Sequence, residues 1–295
     1  MYLQKPKLRE WLKFMSKLKV SELFYSVQGE GRYMGVPSVF LRVFGCNFTC
    51  DGFGMPRGER SNERNIIAQN ITEFKQYRDL PLVHTGCDSY ASWDPRFKDL
   101  SPVLETDSIV DAIMEMLPHK KWERERLVIT GGEPLLGWQR AYPALLDHER
   151  MQDLTEITFE TNGTQKLQED FKLYLKNWAN RSDREITFSV SAKLPSSGEL
   201  WEEAINPDIV CEYEQVGWTY LKLVVATEQD IEDALRAIKE FREAGFKGQA
   251  YLMPVGGVES IYSLNNKNVA LACMKHGLRY SDRLQVPLFK NAWNT

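Results

Sequence analysis

The stretch RLVITGGEP (Arg126–Pro134) joins a short apolar run to a polar, glycine-rich end. Its branched apolar residues favour a buried β-strand, and the glycines and proline that follow end that strand abruptly. The same pattern recurs at Pro37–Gly45, Glu156–Gly163, Glu185–Lys193, Gly217–Ala226 and Gly248–Gly257. The sequence therefore predicts six short strands.

Helical patterns lie between these strands. Thr106–Leu117 and Thr227–Gly245 each begin with capping-type residues and carry apolar residues at helical spacing, and Ser260–Gly277 ends in a glycine. Strands that alternate with helices are typical of a parallel sheet covered by helices. Because six units are too few for a closed eight-stranded barrel, we expect a partial barrel or a doubly wound sheet.

Polar or glycine-rich segments follow five of the predicted strands at the same end. They are Cys46 and Cys50 after the first strand, then TGGEP (Thr130–Pro134), ETNGT (Glu160–Thr164), SAK (Ser191–Lys193) and MPVGG (Met253–Gly257). Glycine and proline also end strands for purely structural reasons. Five such ends together, with two cysteines at the first, favour an active site at the mouth of a barrel.

The five cysteines of the chain do not suggest a disulfide framework. They are Cys46, Cys50, Cys87, Cys211 and Cys273. Their number is odd, and residues 1–20 read as a short, basic amphipathic helix without the apolar core of an export signal. Cys211 and Cys273 have apolar neighbours, which is typical of buried core cysteines. We expect a reducing cytoplasm, where clustered cysteines more often bind metal.

A third thiol is needed beside Cys46 and Cys50 to complete a metal site. The polar segment of residues 51–86 is too long for an ordinary loop, so we expect an insertion with its own local structure that returns the chain to Cys87. Three thiolates on a [4Fe–4S] cluster leave one iron open to a further ligand. Zinc is the alternative, with His84 as a fourth ligand.

Length and composition narrow the class of protein. The chain has 295 residues, enough for one large domain or two small ones, with 43% hydrophobic residues and a net charge of −4, which is an ordinary globular balance. Since no low-complexity linker divides it, we expect a single domain over residues 1–295. No apolar run reaches the ~18 residues of a membrane helix, and no basic excess suggests direct nucleic-acid binding.

The motifs resemble those of the radical S-adenosylmethionine (SAM) superfamily, which also places three cysteines after the first strand and GGEP after the second. Within it, ELFYSVQGEGRYMGVPSVFLRVFGCNFTC (Glu22–Cys50) resembles the opening of the 7-carboxy-7-deazaguanine synthase family. GCDSYASW, ETNGT, SAK and LMPVGG then follow in that family's order. The family's usual spacing, C-x3-C-x2-C, is C-x3-C-x36-C here. Ser89, Ala192 and Phe289 replace the family's threonine, proline and histidine.

The resemblance implies an α/β fold, a partial (βα)6 barrel of the radical SAM type with an insertion in its cluster-binding loop. It implies an enzyme that converts 6-carboxy-5,6,7,8-tetrahydropterin to 7-carboxy-7-deazaguanine with loss of ammonia, in queuosine-type biosynthesis. The cofactors would be a [4Fe–4S] cluster, SAM and Mg²⁺. A flavodoxin- or ferredoxin-type protein would donate electrons, and a homodimer is compatible with the family.

The resemblance also implies roles for single residues. Cys46, Cys50 and Cys87 would bind the cluster, and Ser89 would offer an oxygen to Mg²⁺. SAM would be bound by Gly131, Gly132, Glu133, Glu160, Asn162, Ser191, Lys193, Met253 and Pro254. The substrate would be bound by Gln28, Gly29, Glu30, Arg42 and Thr130, with Glu30 and Arg42 as the catalytic candidates.

Arg42 lies inside an otherwise apolar strand, where an unpaired charge is costly to bury. A bidentate contact with the substrate carboxylate would explain it, and a structural ion pair with a buried acidic residue is the alternative. Two other functions stay open at this point. One is a different radical SAM enzyme, such as a glycyl-radical activase, and the other is a non-catalytic binding protein that keeps the fold.

Overall fold

The computed structural model describes residues 16–181 and 183–295. Its strands are β1 (Lys17–Val27), β2 (Pro37–Val43), β3 (Val103–Glu105), β4 (Arg126–Gly131), β5 (Glu156–Thr161), β6 (Glu185–Val190), β7 (Trp218–Val225), β8 (Ala250–Pro254) and β9 (Arg279–Tyr280). They form one sheet in the order β3-β1-β2-β4-β5-β6-β7-β8-β9.

The parallel part of this sheet confirms the predicted fold class. Strands β2, β4, β5, β6, β7 and β8, the six predicted ones, lie side by side in parallel, and β9 adds two residues at one edge. At the other edge β1 pairs antiparallel with β2, and β3 pairs antiparallel with β1. The two edge strands, β3 and β9, do not pair with each other, so the sheet is an open partial barrel.

The helices cover this sheet. They are α1 (Glu63–Gln69), α2 (Thr106–Met116), α3 (Tyr142–Leu146), α4 (Glu169–Ala179), α5 (Trp201–Ala204), α6 (Pro207–Glu214), α7 (Glu228–Glu243), α8 (Glu259–His276) and α9 (Gln285–Phe289). The predicted helices correspond to α2, α7 and α8. Helix α7 begins at a capping box, in which the Thr227 hydroxyl accepts from the Asp230 amide at 3.2 Å. None of the helices that the structure describes could cross a membrane.

The predicted N-terminal helix is only partly testable. Residues 1–15 lie outside the described part of the chain, and residues 17–20 belong to strand β1, so the helix prediction is wrong there. Leu18 and Val20 are buried while Lys17 and Lys19 are partly exposed. This alternation fits a strand that is buried on one face.

Two larger cores stabilise the described part of the fold, beside a small apolar cluster around Phe48 and Cys50. The main core lies between sheet and helices, and its centre includes the fully buried Leu41, Ile129, Phe159 and Phe188. A second, smaller core belongs to residues 51–86 and the segments that follow, and is built from Tyr77, Leu80, Val83, Tyr90, Ala91 and Phe97, with Trp293 packed against it. The insertion thus carries local structure of its own.

Candidate active site

A cavity of about 270 Å³ opens at the carboxyl ends of the parallel strands. It is lined by β1 and β2 with their connection, by parts of residues 46–54 and 83–93, by the ends of β4 to β8, and by residues near the C terminus. The residues predicted to bind substrate, cluster and Mg²⁺ all line it, as do the SAM candidates except Glu133 and Pro254. The strand ends therefore converge as the sequence pattern predicts.

The three predicted cluster ligands, Cys46, Cys50 and Cys87, pack into one apolar group with Phe48 and Phe53. Burial raises the pKa of Cys46 to about 12 and that of Cys87 to about 11, so both thiols stay protonated until a metal displaces the proton. The 36 residues between Cys50 and Cys87 therefore form a loop whose two ends meet, so that the second and third cysteines lie in the same cluster.

Gly132, the second glycine of GGEP, lies so close to Cys46 that no larger residue fits at its position. A Cβ atom on Gly132 would lie 2.6 Å from the Cβ of Cys46 and 2.6 Å from the carbonyl oxygen of Gly45. No side chain fits there, so the glycine lets the end of β4 pass directly beside the cluster loop.

The thiol arrangement fits an iron–sulfur cluster better than zinc. Within residues 16–181 and 183–295, no group of three His, Cys, Asp or Glu side chains is placed to hold a single metal ion. In a [4Fe–4S] cluster each thiolate binds a different iron, so the sulfur atoms need not converge on one point. His84, the proposed fourth zinc ligand, has a side chain that is 66% exposed and lies 3.5 Å from Glu63.

Lys193 lies beside the thiols and differs from the other cavity cations. Its Nζ is 3.0 Å from the Ser191 hydroxyl, and in the described chain no carboxylate lies within 4.0 Å of it. Its positive charge opposes the rise in pKa that burial causes in all three thiols. Lys193 can therefore receive an anionic ligand group.

Glu133 is fully buried behind the cavity wall. Its carboxylate accepts from the Asn162 amide at 2.6 Å, the Thr161 hydroxyl at 2.8 Å and the Leu135 amide at 3.0 Å. Burial raises its pKa to about 7, which these hydrogen bonds oppose. The side chain ties the end of β4 to the end of β5 and does not line the cavity.

Arg42 has an anionic partner within the chain. Its Nε donates to Glu22 at 2.6 Å, directly across the β1–β2 ladder, and its Nη1 donates to Ser89 at 3.1 Å. The structural ion pair, held as the alternative, is therefore present. The guanidinium also lines the cavity, so the same side chain can still contact a ligand.

A buried network surrounds Glu30. Lys222 Nζ lies 2.6 Å from Glu30 and 2.8 Å from Glu160, and Gln28 donates to Glu160 at 3.1 Å. Although burial works to raise the pKa of Glu30, Lys222 and Arg283 together hold it well below its usual range. Glu30 is thus held ready as an acceptor, and the sequence analysis missed Lys222.

Residues near the C terminus complete this network. Arg283 donates to Glu30 at 3.1 Å and to Asp88 at 2.6 Å, and Gln285 donates to Glu30 at 2.7 Å. Phe289, at the position of the family's histidine, is 40% exposed and does not line the cavity. Of the first and last residues of helix α9, Gln285 lines the cavity and Phe289 does not.

Comparison with known proteins agrees with this geometry. The model of the radical SAM superfamily matches residues 85–262. A 7-carboxy-7-deazaguanine synthase of Halobacterium salinarum is 30% identical over 94% of this chain and 93% of its own length. One from Leptospira interrogans is 23% identical over 94% of this chain and 96% of its own. The crystal structure of QueE from Escherichia coli covers 95% of this chain and 98% of its own, with a TM-score of 0.54 at 17% identity, and shares the fold.

Proposed function

This chain belongs to the radical SAM superfamily and, within it, to the 7-carboxy-7-deazaguanine synthase family, and we propose that it is a lyase that converts 6-carboxy-5,6,7,8-tetrahydropterin to 7-carboxy-7-deazaguanine with loss of ammonia. One observation carries the proposal. The three thiols and the charged network around Glu30 line the same cavity. A glycyl-radical activase or a non-catalytic relative would give that network no role.

The cofactors of this family fit the residues at the site. Cys46, Cys50 and Cys87 are the proposed ligands of the [4Fe–4S] cluster, and Lys193 with Ser191 is the proposed site for the carboxylate of SAM. When bound, the cluster and SAM supply the one-electron chemistry that removes a hydrogen atom from the substrate. Lys193 supports this assignment because it is the cavity cation without a carboxylate partner in the described residues.

The substrate half of the cavity offers acceptors and donors suited to a carboxypterin. Glu30 receives three donors, from Lys222, Arg283 and Gln285, and a carboxylate has about four lone-pair sites. One site remains for an N–H of the pterin ring. Arg42 binds Glu22 through Nε and Ser89 through Nη1, so its Nη2 is the proposed contact with the substrate carboxylate.

Mg²⁺ has oxygen donors close to Arg42. The Ser89 hydroxyl accepts from Arg42 at 3.1 Å and lies 3.3 Å from an Asp88 carboxylate oxygen. Hydroxyl and carboxylate oxygens are the ligands that hard cations prefer. We assign Mg²⁺ to this side of the cavity, next to the proposed position of the substrate carboxylate.

We propose that another protein supplies the electron. Cys211 and Cys273 do not line the cavity, and Cys211 is only partly buried, contrary to its expected place in the core. Neither supports a second redox centre beside the cluster. A flavodoxin- or ferredoxin-type donor stays our prediction, as do a cytoplasmic location and a homodimer.

Anaerobic reconstitution tests the proposed function. The chain is loaded with iron and sulfide and incubated with SAM, Mg²⁺, a reductant and the carboxypterin. Mass spectrometry of the products should show 7-carboxy-7-deazaguanine. Cleavage of SAM without any change in the pterin would favour an activase, and a preparation with neither iron–sulfur absorbance nor cleavage would favour a binding protein.

A further inference from the structure

The third cysteine is separated from the second by 36 residues, where the family's usual pattern has two. Closing a long loop costs conformational entropy, so its two ends need contacts that hold them together. We propose that Arg64, within the insertion, is the positioning residue that clamps the segment of Cys50 to the segment of Cys87. The inference rests on the proposed function, because it takes these cysteines as cluster ligands.

Arg64 forms ion pairs with both segments. Its Nη2 donates to Asp51 at 2.8 Å, and its Nη1 donates to Asp94. Asp51 directly follows Cys50, while Asp94 lies just beyond Cys87. The side chains of Arg64, Asp51 and Asp94 are only 16%, 11% and 2% exposed, so water screens these pairs far less than it screens surface ion pairs.

Arg64 also contacts Cys87 indirectly, because its guanidinium stacks on the Trp93 ring and that ring is hydrogen-bonded to the Cys87 thiol. The Cζ atom of Arg64 lies 4.7 Å from the centre of the Trp93 ring. The indole N–H of Trp93 donates to the Sγ of Cys87 at 3.4 Å. A planar guanidinium can bind two carboxylates at its edge and stack on a ring with its face, which an ammonium cannot do.

Other contacts close the insertion without touching the thiols. The Glu63 carboxylate accepts from the backbone amides of His84 at 2.8 Å and Thr85 at 2.9 Å, and the Gly86 amide donates to the Phe53 carbonyl at 2.7 Å. These contacts shorten the effective loop. Arg64 is the next residue of the same helix, and its contacts extend this closure to the cysteines themselves.

Loss of Arg64 would affect its two acidic partners differently. Asp94 also accepts from Arg96 at 2.9 Å and would keep that cation. Asp51 pairs with Arg64 alone among the described cations within 4.0 Å, so it would become a buried, unpaired charge. Such a charge favours opening of the segment, because opening rehydrates it.

Thiol labelling of the cluster-free protein tests the clamp. Under anaerobic conditions, a pulse of N-ethylmaleimide followed by peptide mass spectrometry gives a rate for each cysteine. In Arg64→Gln we expect Cys50 and Cys87 to react about tenfold faster, which corresponds to opening that is easier by about 1.4 kcal/mol. Cys273, buried in the main core, serves as the internal reference. Arg78→Gln, at an exposed position of the same insertion, should leave all rates unchanged.

Two outcomes would overturn the clamp. One is unchanged labelling of Cys50 and Cys87 in a folded Arg64→Gln chain. If that variant unfolds, so that Cys273 also reacts quickly, Arg64→Lys is used in its place, since it keeps the charge but cannot bridge and stack. The second outcome that would overturn the clamp is an unchanged labelling rate of Cys87 in Arg64→Lys.

Iron content separates this inference from the proposed function. Full iron binding in Cys87→Ala would refute the ligand set. Faster labelling in Arg64→Gln would still establish the clamp, because the labelling uses the protein without its cluster.

Discussion

The ammonium of Lys222 lies 2.6 Å from a carboxylate oxygen of Glu30 and 2.8 Å from one of Glu160. Its side chain is 4% exposed, so the cation is almost completely removed from water. The carboxylates oppose the effect of burial and raise the pKa of Lys222, which keeps it charged. One strand residue thus joins the proposed substrate site to the proposed SAM site.

Replacement of Lys222 by Met should destabilise the fold and weaken substrate binding. Removal of one partner of a buried ion pair leaves uncompensated charge and costs about 3–5 kcal/mol. The free energy of unfolding in urea measures the loss. Lys239→Met, at an exposed position of α7, is the matched control. An unchanged unfolding free energy in Lys222→Met would show that the ion pairs of Lys222 with Glu30 and Glu160 do not stabilise the fold.

Replacement of Cys87 by Ala should abolish cluster binding and SAM cleavage. Without a third thiolate the remaining two cannot hold the four irons. Iron content after reconstitution and the visible absorbance of the cluster are the measurements. Cys211→Ala, at a partly buried position away from the cavity, should retain both. Equal iron content in the two variants would contradict the ligand assignment.

Replacement of Arg42 by Lys should lower substrate use while SAM cleavage persists. The change keeps the charge but loses the planar fork, and a lost charge-assisted hydrogen bond of about 1.5–3 kcal/mol corresponds to roughly 10- to 100-fold in kcat/KM. Pterin turnover and uncoupled SAM cleavage are measured together. If stability falls sharply while turnover per folded molecule is unchanged, Arg42 serves only its ion pair with Glu22.

Replacement of Asp94 by Asn should lower the free energy of unfolding by an amount that depends on pH. Burial opposes the shift, but hydrogen bonds from Arg96 and Arg64 lower the pKa of Asp94 from its usual 3.8 to about 2. The unfolded chain therefore binds this proton more readily than the folded chain. The stabilisation is complete above the unfolded pKa of about 4 and is lost as the pH falls towards 2.

Urea unfolding at several pH values measures this effect. At pH 7 the native chain should be more stable than Asp94→Asn by about 2 kcal/mol, since one pKa unit corresponds to about 1.4 kcal/mol. The difference should narrow below pH 4. Asp99→Asn, at an exposed position of the same turn, should show no such trend. A difference that stays constant down to pH 2.5 would contradict the assignment.

The parallel sheet was predictable because each strand carries its own signal. Branched apolar runs that end in glycine or proline, as in RLVITGGEP, need no knowledge of distant residues. Strand β1 (Lys17–Val27) was not among the predicted strands, and residues 17–20 were assigned to a helix because their lysines resemble its polar face. Its pairing with β2 and β3 decides the conformation, and such tertiary pairing overrides local preference.

Cavity residues were predictable where a motif marks a strand end, as with Lys193 in SAK. Lys222 could have been found by the argument applied to Arg42, since it too is a charge within an apolar strand, YLKLVV. Arg283 and Gln285 could not, because they lie after an irregular segment with no periodic pattern. The partner of Arg42 depends on β-ladder register, which a single sequence does not specify.

The charges that line the cavity have a consequence for how quickly ligands enter it. Within the described residues, four carboxylates face four cations there, those of Glu22, Glu30, Asp88 and Glu160 against Arg42, Lys193, Lys222 and Arg283. Three of these cations lie at contact distance from a carboxylate, and only Lys193 is unmatched, so little field remains beyond the cavity mouth and electrostatic steering adds little to the encounter rate. Association rates of small anionic ligands should therefore depend only weakly on ionic strength.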